Sequence, residues 1–147
     1  MAVYLDNSAT TAVLPQAAEA AFRAMREGYG NPSSLHEMGR SAKKMLEGAR
    51  AALALAFGCE EGCIYFTSGG SESINTAIMG AAFKNKHRGR HILSTAIEHD
   101  AVLNSLNELK NQGYEITLAK PERDGTIDLE KFLSLIRDDT ILVTMQG

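Results

Sequence analysis

From residue 63 onward the chain alternates short apolar runs with longer segments of helical period, and this alternation restricts the fold more than any other feature. Cys63 to Thr67, His91 to Thr95, Tyr114 to Leu118 and Thr140 to Met145 each read as a strand. Between the first two, Ser71 to about Phe83 brings Ile74, Ala77, Ile78 and Ala81 onto one helical face. His99 to Gln112 does the same through Val102, Leu103, Leu106 and Leu109, and Gly113 stops it. "PERDG" is a turn, and Asp128 N-caps a last helix carrying Leu129, Phe132, Leu133 and Ile136. Strands joined by single helices run parallel, because each crossover returns the chain to the same edge. The expected class is therefore α/β: three layers, with a mostly parallel sheet and helices on both faces. Strands that are apolar throughout suit a sheet covered on both sides.

Two helices are expected before the alternation begins. "PQAAEAAFRAMREG" has Pro15 at its start and Gly28 at its end. "SSLHEMGRSAKKMLEGARAALALAFG" places Leu35, Met38, Ala42, Met45, Ala49 and Leu53 on one face, with Gly58 as its left-handed stop. The length, 147 residues, is that of one domain with a core of useful size. A net charge of −3 and the absence of Trp argue against a basic or aromatic face for nucleic acid. "MAVYLDNSATTAV" lacks the basic start and apolar core of a signal peptide, and "AALALAF" is far too short to span a membrane. These features give a cytoplasmic expectation. Cys59 and Cys63, spaced C-x3-C without a third ligand, read as free thiols rather than a metal site. The last apolar run ends close to Gly147 without a covering helix after it, which gives the expectation of a fragment.

Ligands of open α/β sheets bind outside the carboxyl ends of the strands, so the polar segments there carry the chemistry. They are "TSGGSES", "TAIEHD", "AKPERDG" and "QG". In the first, Gly69 and Gly70 allow close backbone approach, the helix start offers free amides, and Ser68, Ser71 and Ser73 add hydroxyls. A phosphate fits such a turn. The plainer reading is a glycine turn with Ser71 as an ordinary N-cap. The pattern is neither G-x-x-x-x-G-K-[ST] nor G-x-G-x-x-G. His99, past the end of the next strand, is placed to stack on a flat ring or to move a proton; the plainer reading is a capping or solvated histidine. Glu98 permits a rival, an acid gripping a ribose as in a dinucleotide site. "YLDNSATT" and "GNPSSLH" precede helices and are compatible with Asx turns and caps.

In order and at matching spacing, "VYLDNSATT", "GYGNPSSLHEMGR", "IYFTSGGSES", "EHDAVLNSL", "DGTIDL" and "TILVTM" closely resemble the cysteine desulfurases. These are pyridoxal-phosphate enzymes of the class V aminotransferase group, fold type I. The resemblance runs through essentially all of this chain and covers the N-terminal portion of such an enzyme. It implies residues 1–14 in a small-domain or active-site-edge segment, and 15–147 in an incomplete large domain that binds pyridoxal 5'-phosphate. It implies that Gly70 and Ser71 bind the cofactor phosphate and that His99 stacks on the pyridine ring. Gly-Ser replaces the family's usual Ala-Thr, and Ile74 stands where the family is commonly polar. Asn7, Thr10, Asn31 and His36 are implied only as pocket-edge residues.

The implied reaction of the complete enzyme converts L-cysteine to L-alanine. Sulfur passes to an acceptor such as an iron–sulfur scaffold protein, and the full enzyme is a homodimer. The Schiff-base lysine, the aspartate at the pyridinium nitrogen and the mobile cysteine lie past Gly147 in the family pattern. None of the seven lysines here matches the lysine motif, so no catalytic residue is assigned and the chain alone is expected to be inactive. Alternatives are another class V enzyme, such as a selenocysteine lyase or an aminotransferase, and a non-catalytic remnant.

Overall fold

A computed structural model describes residues 3–146; Met1, Ala2 and Gly147, the outer ends of the two expected domain segments, lie outside it. The chain forms two compact units, one up to Tyr65 and one from Phe66.

The first unit is helical. Helix α1 is Pro15–Glu27, with Pro15 at its opening and the Gly28 amide closing onto Ala24 O at 3.0 Å. None of its residues is buried. Helix α2 is Glu37–Phe57 and begins later than the sequence suggests. The Ser33–Ser34 pair is held in a turn in which Asn31 Oδ1 accepts the Ser33 amide at 2.9 Å. His36 is the N-cap instead, its Nδ1 accepting the Gly39 amide at 3.3 Å. Gly39 explains the tight spacing of this segment: a Cβ there would run into the carbonyls of Ser34 and Asn31. At the other end Gly58 has φ 65° and gives its amide to Ala54 and Leu55, the left-handed stop that the sequence predicts. The buried positions of α2 are Gly39, Ala42 and Ala54, so of the expected stripe only Ala42 is buried, and Leu35 is 90% exposed.

The expected strand Cys63–Thr67 does not form. Glu61–Cys63 is a short 3₁₀ turn, and Ile64 is extended (φ −98°, ψ 119°). No described strand pairs with residues 64–67, and an extended run without a ladder partner is not a strand.

The second unit is the α/β part. It runs α3 (Gly70–Asn85), β1 (His91–Thr95), α4 (Asp100–Asn111), β2 (Glu115–Ala119), α5 (Leu129–Ser134) and β3 (Thr140–Val143). The sheet is parallel, in the order β2-β1-β3. β1 lies at the centre and all five of its residues are buried. Alternation along β1 sends Ile92 to one face and Leu93 to the other. Ile92 joins Ile78 and Ala82 of α3 with Val102, Leu106 and Leu109 of α4. Leu93 joins Ala119 and Phe132 of α5. Helices therefore cover both faces, as expected of the class. Asp128 caps α5 by accepting the Lys131 amide at 3.1 Å. Of the four apolar residues expected in this helix, Phe132 alone is buried, and Ile136 falls outside it because α5 ends at Ser134.

Candidate functional site

Two helix starts build the candidate site. Helix α3 descends to the amino end of β1 through residues 86–90, and α4 leaves the carboxyl end of β1 through residues 96–99. Both helices pack on the Ile92 face. Each therefore opens at the carboxyl edge of the sheet, where ligands of such sheets bind.

The α3 turn is shaped by its own side chains. Gly69 is the N-cap, with φ 168° and ψ 178°, an extended backbone that supplies no side-chain cap. Glu72, in the first turn, closes the loop: its carboxylate accepts the Ser68 amide at 2.7 Å and the Ser68 hydroxyl at 2.6 Å. Those two bonds hold the Glu72 carboxyl below the usual carboxylate range. The Thr67 and Ser73 hydroxyls are 2.6 Å apart and share a hydrogen bond. Ser71 is thus not the N-cap that the plainer reading expects. It is exposed at the second helical position, and its hydroxyl has no bond to the chain among the described residues. A Cβ at Gly69 or Gly70 would meet nothing within 4 Å, so the approach to the first α3 amides is open. Helix-start amides have no carbonyl a turn earlier to receive them, and they carry the positive end of the dipole.

His99 is the N-cap of α4. Its Nδ1 accepts the Ala101 amide at 3.0 Å, and its carbonyl accepts the amides of Val102 and Leu103 at 2.9 and 3.2 Å. An accepting Nδ1 assigns the proton of the neutral ring to Nε2. The ring itself is exposed. The capping reading and the stacking reading are compatible, because the cap uses one nitrogen edge and leaves the ring face open.

Glu98 is not placed as the ribose reading requires. It is only 8% exposed; its Oε1 accepts the Thr95 hydroxyl at 2.7 Å and the Gln146 amide at 2.9 Å. The carboxylate is turned into the protein. Sequence reasoning missed this bond set, and it also missed Glu72. An acidic residue in the first turn after a serine was the available signal for Glu72; the Gln146 contact has no local signal.

Asn7, Thr10, Asn31 and His36 belong to the unit that ends at Tyr65, whereas Gly70, Ser71 and His99 belong to the other. Asn31 and His36 serve their own turn and helix start, as described above. The Thr10 carbonyl accepts the Tyr4 hydroxyl at 3.1 Å, and Asn7 is exposed. Cys59 and Cys63 are exposed free thiols. Among the described residues there is no metal-ligating cluster, and no helix is long and apolar enough to cross a membrane.

The residues present fit a phosphorylated ring cofactor. The α3 start offers open amides beside an unengaged hydroxyl, and the α4 start offers an exposed imidazole face on the same sheet edge. The turn does hold one anion already, the Glu72 carboxylate, but that charge is drawn back onto Ser68.

Comparison with known proteins agrees with the motifs. The aminotransferase class-V profile matches residues 3–147. A cysteine desulfurase IscS of Methanosarcina thermophila is 46% identical over 144 residues, 98% of this chain and 36% of that protein. A NifS/IcsS homolog of Lactobacillus delbrueckii is 40% identical over 145 residues, 38% of its length. The chain thus spans little more than a third of these relatives. Among solved structures, a NifS-like protein gives a TM-score of 0.90 at 38% identity, covering 99% of this chain and 40% of that one. A structure described as SspA in complex with cysteine gives 0.86 at 33% identity, covering 97% and 41%. Extended match to the profile, motif order and fold point the same way: the chain belongs to the aminotransferase class-V family.

Proposed function

We propose that this chain is the phosphate- and ring-binding part of a cytoplasmic, pyridoxal-phosphate-dependent cysteine desulfurase. The observation that carries the reading is the open α3 start, with the unengaged Ser71 hydroxyl, on the same sheet edge as the exposed His99 ring. Its similarity to proteins named cysteine desulfurase supports the reaction, L-cysteine to L-alanine with sulfur transfer to an acceptor. A structural neighbour described as bound to cysteine supports the substrate. An iron–sulfur scaffold protein is the proposed acceptor, and a homodimer the proposed state of the whole enzyme. Residues 1–14 are proposed to belong to the small-domain edge and 15–147 to the large domain.

The cofactor, when bound, supplies the electron sink that labilises bonds at the substrate α-carbon. The chain's own residues hold and orient. Gly70 and Ser71 offer backbone amides to the phosphate, and Ser71 adds its hydroxyl as a charge-assisted donor. His99 offers its ring face for stacking. Its Nε2–H, fixed by the Ala101 bond at Nδ1, is the proton it can donate. The covalent lysine, the aspartate at the pyridine nitrogen and the sulfur-accepting cysteine are proposed to come from further sequence of a longer protein. On this reading the chain alone turns over no cysteine.

Equilibrium dialysis of the chain with pyridoxal phosphate, and with pyridoxal as the phosphate-free control, tests the binding. Ser71→Ala should weaken pyridoxal phosphate by about 1–3 kcal/mol and leave pyridoxal unchanged. His99→Ala should weaken both. Equal affinity of Ser71→Ala and the parent chain for pyridoxal phosphate would remove the phosphate assignment. Incubation with cofactor and L-cysteine should release alanine no faster than cofactor alone. Turnover above that control, abolished by His99→Ala, would overturn the division of labour.

A further inference from the structure

We infer that Glu98 is a positioning residue for His99, setting the imidazole at the carboxyl edge by binding together the turn after β1 and the segment after β3. The inference rests on the cofactor reading of His99 for its functional meaning, but not for its geometry.

A carboxylate is rarely buried unless its oxygens are paired. Glu98 is buried next to His99 and has no cation partner among the described residues; it accepts two donors at one oxygen. One is the hydroxyl of Thr95, the last residue of β1, which folds Glu98 back over the strand end. The other is the backbone amide of Gln146, three residues past the end of β3. Between them, the Ala96 amide still bonds Ala119 O at the end of β2, at 2.8 Å. Ala96 and Glu98 are thus tied to the ends of β2 and β1 and to the segment past β3. His99 follows at once, fixed on its other side by the Ala101 amide. With the residues before it held, the Ala101 bond at Nδ1 sets the direction of its ring. A bond to a charged acceptor is worth more than a neutral one, which suits a clamp of only two contacts.

The clamp predicts a split between variants. Glu98→Gln keeps an oxygen for both donors, whereas Glu98→Ala keeps none. In the parent chain, nitrogen NMR of the imidazole should show a single Nε2–H tautomer, and the Ala101 amide should be protected. Glu98→Gln should preserve both signals. Glu98→Ala should average the tautomer signal and speed Ala101 exchange by about tenfold or more relative to the Leu106 amide in the middle of α4. A merely structural loss would speed both amides alike and leave the tautomer single, and that result overturns the proposal. Thr95→Val, which removes one of the two donors and keeps the carboxylate, serves if Glu98→Ala does not fold; an unchanged imidazole signal there also counts against the clamp. Pyridoxal phosphate dialysis is run beside these spectra. A parent chain that binds no cofactor sinks the cofactor reading, while the imidazole spectra still decide the clamp.

Discussion

Ser94 shows what a single residue can cost. It is fully buried in β1, and among the described residues its hydroxyl is the one buried side-chain polar atom without a hydrogen-bond partner. Such a group loses its water and gains nothing, at a cost of about 1–3 kcal/mol. Ser94→Ala removes the hydroxyl and keeps the volume nearly unchanged. It should stabilise the chain by about 1 kcal/mol, seen as a higher urea midpoint at unchanged slope. A lower midpoint would mean that the hydroxyl has a partner in solution. Ser71 is the contrasting case: its free hydroxyl stands in water, costs nothing there, and remains available to a ligand. Two serines of one chain thus differ in meaning through burial, and burial is not written in the residue.

At the scale of elements, the legible features are those with local causes. Pro15, Gly58 and Asp128 marked their helix ends because a fixed φ, a positive φ and a capping carboxylate act within one turn. Gly58→Ala should therefore cost roughly 1–2 kcal/mol, read from chemical denaturation, since a side chain opposes the left-handed backbone at φ 65°. The elements that misled depend on distant partners. Residues 63–67 have strand-like composition, but a ladder needs a neighbour, and none of the described strands supplies one. The α2 stripe had the right period, yet Met38, Met45 and Leu53 are between 38% and 47% exposed, because periodicity names a face without naming what covers it. In the candidate site the sequence located Gly70, Ser71 and His99 at helix starts, which local signals allow. The Glu72 contact with Ser68 had a local signal that the reading passed over, whereas the turn of Glu98 onto Gln146 had none, since it joins residues far apart in the chain. Phe132 is the one side chain by which α5 closes its face of the sheet; Phe132→Ala should cost about 3–5 kcal/mol in the same assay.

At the scale of the α/β unit, His91 crosses the whole sheet. Fully buried at the start of β1, it meets Thr140 Oγ1 at 2.7 Å on β3 and Thr117 Oγ1 at 2.9 Å on β2. Burial, assisted by the charge of Arg137, pushes its pKa below the ordinary histidine value; Asp139 and Glu115 oppose that shift. The folded form resists a proton that the unfolded chain accepts near pH 6.5. Stability from this residue is therefore complete above about 6.5 and declines as the pH falls from there toward the lower folded value. Urea midpoints between pH 7.5 and about 5.5 should fall with a slope that His91→Gln, which cannot titrate, reduces; parallel slopes would refute the linkage. The strand order β2-β1-β3 carries one more consequence, for the growing polypeptide. The central strand is synthesised before either neighbour, so β2 and β3 each emerge to find a template already made. Among the described strands, then, none has to be inserted between two that are already paired.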